Sequence, residues 1–350
     1  MNKRYAGSST VLIAVFAAGV ILYSLTAAHA YGAERPPNPD SASIGMAVEF
    51  MDHAACAYVA QDQGWFKKKG LTLSSYESYV TGMALASALA RGDIQVAYIC
   101  LVPAINVFAN AKVPIKIVAG THKYGYGLVV DPTKIRSVKD LEDPSLRVGC
   151  VREGGAVDVL FRKVIDTYRL DQNKLLHNIR RMNPPKLVLA IKMGQLDAAF
   201  LPEQWATMAE ECGMHMLLTG KDIWPHMQGS VLVVKESLIK EHPDVVEKLV
   251  TVTQEATEWI NQYPQEASVI LAKYFTATGG TVFPAEATNS IAQLDSTPDV
   301  LSRSMKRLDY STDLDLQVVQ ETIDYMMHLG YIKQHFKAED IVDLSWLHGE

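Results

Sequence analysis

Long apolar runs are nearly absent from this 350-residue chain: beyond Val11 to Ala28, no stretch reads as a membrane span. An excess of positive charge is absent too. Lysine and arginine number 33 against 39 acidic residues, the net charge is −6, and no basic cluster exceeds Lys67, Lys68 and Lys69. That balance argues against nucleic acid as a partner. Cysteine is scarce, and Cys56, Cys100, Cys150 and Cys212 lack the close paired spacing of a zinc site. They read as buried small hydrophobes, although an exported chain permits a disulfide that spacing alone cannot pair. No three-glycine dinucleotide fingerprint occurs, and no cofactor or metal is expected.

What is present begins with a leader. "MNKR" carries two cations, the apolar run follows, and "AHA" (28 to 30) has small residues at both outer positions, as signal peptidase requires. Residues 1–30 are therefore expected to be a cleaved signal peptide that exports the protein to the periplasm. The run is also nearly long enough to remain as an uncleaved membrane anchor. No cysteine follows it, so a lipid anchor at that point is excluded. Residues 31–43, rich in proline and polar side chains, read as a disordered lead-in.

The chain as a whole is 48% hydrophobic, and from Ile44 onward an alternation of short β-like runs with amphipathic stretches implies βαβ units and an α/β fold. "IGMAVEF", "LTLSSY", "IQVAYI" and "PIKIVAG" read as strands, separated by helices in "AACAYVAQDQGWF", "TGMALASALARGD" and "AINVFANA". The grammar restarts after "DPTKIRSVKDLEDPS" with "LRVGCV", "EGGAVDVLFRKVIDTY", "KLVLAIKMGQ" and "DAAFLP". "ALARGDIQVAYI" and "AIKMGQLDAAFL" superpose, Gly92 on Gly194 and Tyr98 on Phe200. The repeat predicts two similar lobes with central, mostly parallel sheets flanked by helices: 44–127 with 229–350, and 128–228. Crossings at 125–132 and 225–234 would make a two-strand hinge with a ligand cleft between the lobes. Residues 296–315 read as either a surface lid or a connection.

The order of these motifs resembles the periplasmic solute-binding proteins of ABC transporters for nitrate, taurine and alkanesulfonates, together with the thiamine-precursor-binding branch. The pattern A-x-x-x-G-x-F-x-x-x-G-L stands here as Ala60, Gly64, Phe66, Gly70 and Leu71. "ALASALARGDIQVAYI", "SVKDLEDPSLRVGCV", "GQLDAAFLPEQWA" and "KEHPDVVEKLV" follow in the family's order, and the likeness spans roughly Ile44 to Tyr274. It implies a type II periplasmic binding fold, a small-molecule ligand (sulfonate, nitrate, carboxylate or heteroaromatic solute), and an ABC permease with its ATPase as partners. It also implies that the junction around Trp65 and Phe66 is structural: the aromatics close a helix onto the sheet and the lysines face solvent.

Ligands of open α/β sheets bind beyond the carboxyl ends of the strands. That rule selects Met51, Asp52 and His53; Thr81 and Gly82; Cys100 and Leu101; Thr121, His122 and Lys123; Glu153, Gly154, Gly155 and Ala156; Glu203; and Trp224. Gly154 and Gly155 before a helix would leave backbone N–H groups for an anion, or simply make a flexible start to that helix. Asp52 could touch ligand or cap the following helix. His122, Lys123 and Tyr124 suit an anion or an aromatic, or form a solvated loop. Pro202 precedes Glu203, where many relatives have the reverse order. With Glu49, Asp52, Glu153 and Glu203 all near the cleft, a bare anion fits less well, and a zwitterion, amine or heteroaromatic stays open.

Three functions compete: a binding protein feeding a permease, a ligand-binding module reporting to a membrane sensor, and an enzyme resembling the pyrimidine synthases of thiamine biosynthesis. The last carries a cysteine-rich run after a histidine. Here His53 is followed by Cys56 alone.

Overall fold

The computed structural model describes residues 43–282 and 296–347. The expected signal peptide and all of the lead-in except Ser43 lie outside the described residues. Ser43 itself opens the first strand.

The described strands are β1 (Ser43–Glu49), β2 (Thr72–Tyr79), β3 (Val96–Cys100), β4 (Ile115–Tyr124), β5 (Tyr126–Val130), β6 (Val148–Cys150), β7 (Ile179–Arg181), β8 (Ala198–Pro202), β9 (His215–Thr219), β10 (Gln228–Lys235) and β11 (Leu308–Asp309). They form two sheets, ordered β11-β4-β10-β3-β1-β2 and β7-β6-β8-β5-β9. Written from the other end, the first reads 2-1-3-10-4, and the second is the same order with β6 to β9 in place of β1 to β4 and β5 in place of β10. The motif repeat in the sequence is thus a repeat of topology. β1 to β4 share one direction against β10 and β11, and β6 to β9 share one direction against β5. Both sheets are therefore mixed, with four strands of each running one way, and in each an interior antiparallel strand is the one that arrives from the other half.

β3 and β8, "VAYIC" and "AAFLP", are buried at every position. Such unbroken apolar runs suit a strand covered on both faces by helices. Each is preceded by a helix, Gly82–Arg91 and Pro184–Lys192, stopped by a glycine at positive φ: Gly92 at 105° and Gly194 at 66°. The Trp65–Phe66 junction packs on the long helix Pro243–Gln262: Phe66 is buried, Trp65 meets Trp259 edge-on at 6.4 Å, and Lys69 pairs with Glu255 at 2.6 Å.

The chain crosses from the first sheet to the second at Gly125, between β4 and β5, and returns through residues 220–227. Residues 296–315 are neither a lid nor a bare connection. Their helix Pro298–Met305 packs on the helix Glu203–Glu211 and the turn Asp52–Ala54; Ser304 donates to the Asp52 carboxylate, and Arg307 pairs with Glu203 at 2.8 Å and Glu210 at 2.8 Å. The segment ties the turn after β1 to the helix Glu203–Glu211 after β8.

Candidate functional site

A cavity of about 460 Å³ opens where the carboxyl ends of both sets of parallel strands face each other. From the first sheet come Glu49 and Met51 after β1, Val80 to Met83 after β2, Cys100 and Pro103 after β3, and Tyr126 at the crossing. From the second come Val151 to Glu153 with Gly155 to Val157 after β6, Arg181 to Pro184 after β7, and Pro202 at the end of β8. The walls are chiefly methionine, valine, proline and tyrosine.

Of the residues expected from sequence, Met51, Thr81, Gly82, Cys100, Glu153, Gly155 and Ala156 line this cavity. The others do not. β4 continues through "THKY", where a loop was expected, because β10 pairs with it as far as Gln228 opposite Lys123. Thr121, His122 and Lys123 are therefore strand residues, and the first two are buried. Leu101 is buried at the start of the helix Leu101–Ala109. Trp224 packs against Tyr325, with Lys163 Nζ 4.7 Å over its ring.

Asp52 caps no helix with its side chain; it is buried, holds Ser304, and accepts the Tyr310 hydroxyl at its carbonyl oxygen, 3.0 Å away. Burial pushes its carboxyl up to about 7. Glu203 is likewise buried and bound to Arg307, and burial raises it as well. Gly154 has φ 76°, and its N–H is already given to Asp158 Oδ2 at 3.0 Å; that of Gly155 goes to the Arg152 carbonyl at 3.2 Å. The anion nest expected at these two glycines is thus filled by the protein itself.

Positive charge in the cavity comes from residues that the topological rule passed over. Arg152 stands exposed on the wall and has no ion-pair partner among the described residues. Arg181 is held by Asp158 at 2.5 Å and by the Val151 carbonyl at 2.7 Å, and Glu153 by Arg162 at 3.0 Å. Arg181, Met182, Asn183 and Pro184 were hidden because β7, "IRR", is three residues long and has no apolar pattern. Only its parallel pairing with β6 makes it a strand.

At the cavity floor lie Glu49, Cys100 and, behind them, His53. Glu49 Oε1 accepts the Cys100 N–H at 3.0 Å, and Oε2 accepts the Cys100 thiol at 2.9 Å. Burial pushes the Glu49 carboxyl up to about 7, drives the Cys100 thiol well above its usual range, and brings His53 down to about 4. His53 Nε2 lies 2.7 Å from the Gly125 carbonyl oxygen, which can only accept, so Nε2 carries the proton and Nδ1 is bare. His122 packs against this ring at a tilt of 51°, 4.4 Å between centroids, and burial keeps it neutral as well. All four cysteines are free thiols.

Comparison with known proteins agrees with this architecture. The model of the NMT1-like family matches residues 35–275. The nitrate import ATP-binding protein NrtC of Synechocystis is 23% identical over 62% of this chain, but that match covers 35% of the relative's length. A putative binding protein of Brucella abortus is 26% identical over 62% of this chain and 66% of its own. The chain thus spans about a third of the first relative and about two thirds of the second. Among solved structures, the alkanesulfonate-binding protein SsuA of Xanthomonas axonopodis pv. citri bound to MOPS aligns over 87% of this chain and 99% of its own, with a TM-score of 0.69 at 14% identity. No described helix is long and apolar enough to cross a membrane. With the family model covering well over half of its residues, and two mixed sheets repeating one strand order around a shared cavity, this chain belongs to the NMT1-like family.

Proposed function

We propose that this protein is the solute-capturing component of an ABC-type importer, and that its cavity takes a small organic anion. The observation that carries the reading is Arg152, a cation without an ion-pair partner among the described residues, on the wall of a cavity otherwise lined mostly by apolar side chains. A volume of about 460 Å³ falls within the roughly 300–1,000 Å³ of small-molecule sites. A sulfonate or carboxylate would meet the guanidinium, and an aliphatic or heteroaromatic body would cover Met51, Val80, Met83, Met182 and Pro202. Bare nitrate would leave those walls unfilled. The alkanesulfonate-binding protein named among the similar structures supports the same ligand class.

The mechanism is a population shift about Gly125 and residues 220–227. Ligand touching both halves favours the closed form, which docks on a permease driven by its ATPase. No covalent step is needed, and export to the periplasm by the leader fits this role. A thermal-shift screen against taurine, longer alkanesulfonates, nitrate, aromatic carboxylates and thiamine pyrimidines tests the reading. A ligand that binds only the folded state adds about 2.7 kcal/mol at one hundred times its Kd. A dose-dependent rise with an organic anion supports the proposal; a rise with nitrate alone or with thiamine pyrimidines alone overturns the ligand class.

A further inference from the structure

We infer that Glu49, His53 and Cys100 form a binding site for one thiophilic divalent cation, of the zinc type, at the floor of the cavity, with its open coordination position facing the cavity. Three donor atoms converge there from separate elements: the end of β1, the turn Asp52–Ala54, and the end of β3. Cys100 Sγ lies 2.9 Å from Glu49 Oε2 and 3.6 Å from His53 Nδ1, and the remaining edge of the triangle is 4.0 Å. Bonds of about 2.0–2.3 Å in a tetrahedral arrangement require edges of roughly 3.3–3.6 Å. The triangle brackets that range, and side-chain shifts of a few tenths of an ångström close it.

Its surroundings are those of a ligating set. The Gly125 carbonyl fixes the His53 proton on Nε2 and leaves the Nδ1 lone pair toward the sulfur, as the outer hydrogen bond of a metal-bound histidine does. Two hydroxyls aim at the same sulfur: Tyr126 on β5 donates at 2.9 Å and Ser230 on β10 at 3.5 Å. Donors arranged around a sulfur suit a metal-bound thiolate better than a thiol. The charge pattern agrees. Buried Asp158, Asp197 and Glu203 each have an arginine, at 2.5, 2.8 and 2.8 Å. Glu49 and Asp52 are fully buried, and among the described residues no lysine or arginine pairs with either; Asp52 has the Ser304 hydroxyl, and Glu49 has the Cys100 N–H and thiol. The backbone also makes room for the set: a Cβ at Gly82 would collide with Glu49 Oε1, and one at Gly125 would come within 2.6 Å of His53 Nε2.

Three protein ligands with soft, borderline and hard donors match a zinc-type ion that keeps one exchangeable position. Binding displaces the thiol proton, and the carboxyl proton where Glu49 holds one. Because Glu49 and Cys100 line the cavity, the ion reaches the site through it. The scattered cysteine spacing gives no sign of such a site, since its ligands come from loops 47 residues apart in sequence.

The inference does not rest on the identity of the solute, because the ion alone is the probe. The purified chain, freed of metal by a chelator and kept reduced, is titrated anaerobically with Co²⁺. One equivalent is expected to produce a thiolate-to-cobalt charge-transfer band and the visible bands of four-coordinate cobalt, both lost on adding Zn²⁺. Cys100→Ser is expected to abolish the charge-transfer band, and Cys56→Ser, on the helix Ala55–Asp62, to keep it. A wild-type protein without the band, or a Cys100→Ser protein that retains it, overturns the site. Should Cys100→Ser fail to fold, His53→Gln decides: at least a tenfold loss of cobalt affinity supports the site, and unchanged affinity overturns it.

Discussion

His53 is latched to Gly125: the ring Nε2–H donates to the carbonyl oxygen 2.7 Å away, joining the turn after the first strand to the residue at which the chain passes between sheets. The latch closes only because residue 125 has no side chain. Its φ is 88°, and a Cβ there would lie 2.6 Å from His53 Nε2 and 2.9 Å from His122 Cε1. Gly125→Ala is therefore expected to cost roughly 2–4 kcal/mol, combining left-handed backbone strain with a clash against two buried rings. Urea denaturation checks it, and a loss below about 0.5 kcal/mol would mean that the latch yields.

Arg152 should act on ligand without acting on the fold. Arg152→Gln is expected to weaken an organic anion at least tenfold, about 1.4 kcal/mol. Unfolding of the ligand-free protein should change by less than about 0.5 kcal/mol, since the side chain is exposed and holds no ion pair among the described residues. Calorimetric titration with the best ligand of the screen measures the first effect. Equal affinity in both proteins would remove Arg152 from the site.

Asp197 carries a pH signature. The Arg147 fork meets it at 2.8 and 2.8 Å, Lys134 joins them, and these contacts hold the carboxyl well below the usual aspartate range. A lowered folded pKa gives stability that is present above the ordinary aspartate value and lost as pH falls below it. Asp197→Asn should therefore cost roughly 2 kcal/mol at pH 7, with the difference from wild type shrinking below about pH 4. Denaturation at a series of pH values reads this directly; a difference that ignores pH would point to packing instead of charge.

Arg307 neutralises a buried carboxylate from a segment distant in sequence. Removing it leaves Glu203 charged and enclosed beside Thr207, whose hydroxyl donates at 3.2 Å. Arg307→Ala is expected to lose roughly 3 kcal/mol, and adding Glu203→Gln should recover part of that by removing the orphaned charge. A double variant no better than the single one would place the loss in the Arg307–Glu210 pair.

Much of the scaffold was legible because its signals are local. The apolar runs of β3 and β8, each preceded by a helix and a glycine, announced both the element type and the repeat. Elements without a pattern of their own were not. β7 has two arginines in three residues, and "THK" looks like a loop although β10 makes it strand. Met51, Thr81, Gly82, Cys100, Glu153, Gly155 and Ala156 were reached by a rule about strand ends, and they line the cavity because parallel strands deliver their following loops to one edge. Asp52, His122 and Glu203 met the same rule and were carried inward, to Ser304, His53 and Arg307.

The sequence by itself determined the α/β class, the repeated unit and the family, since periodicity, glycine stops and motif order are properties of neighbouring residues. Tertiary structure alone decided which charges stay free. Arg152 and Arg181 are the same residue type at the ends of two adjacent strands of the second sheet, yet Asp158 engages the second and leaves the first open. The convergence of Glu49, His53 and Cys100 was also decided there, because ligand geometry depends on distances between two strands and a turn that spacing along the chain does not encode.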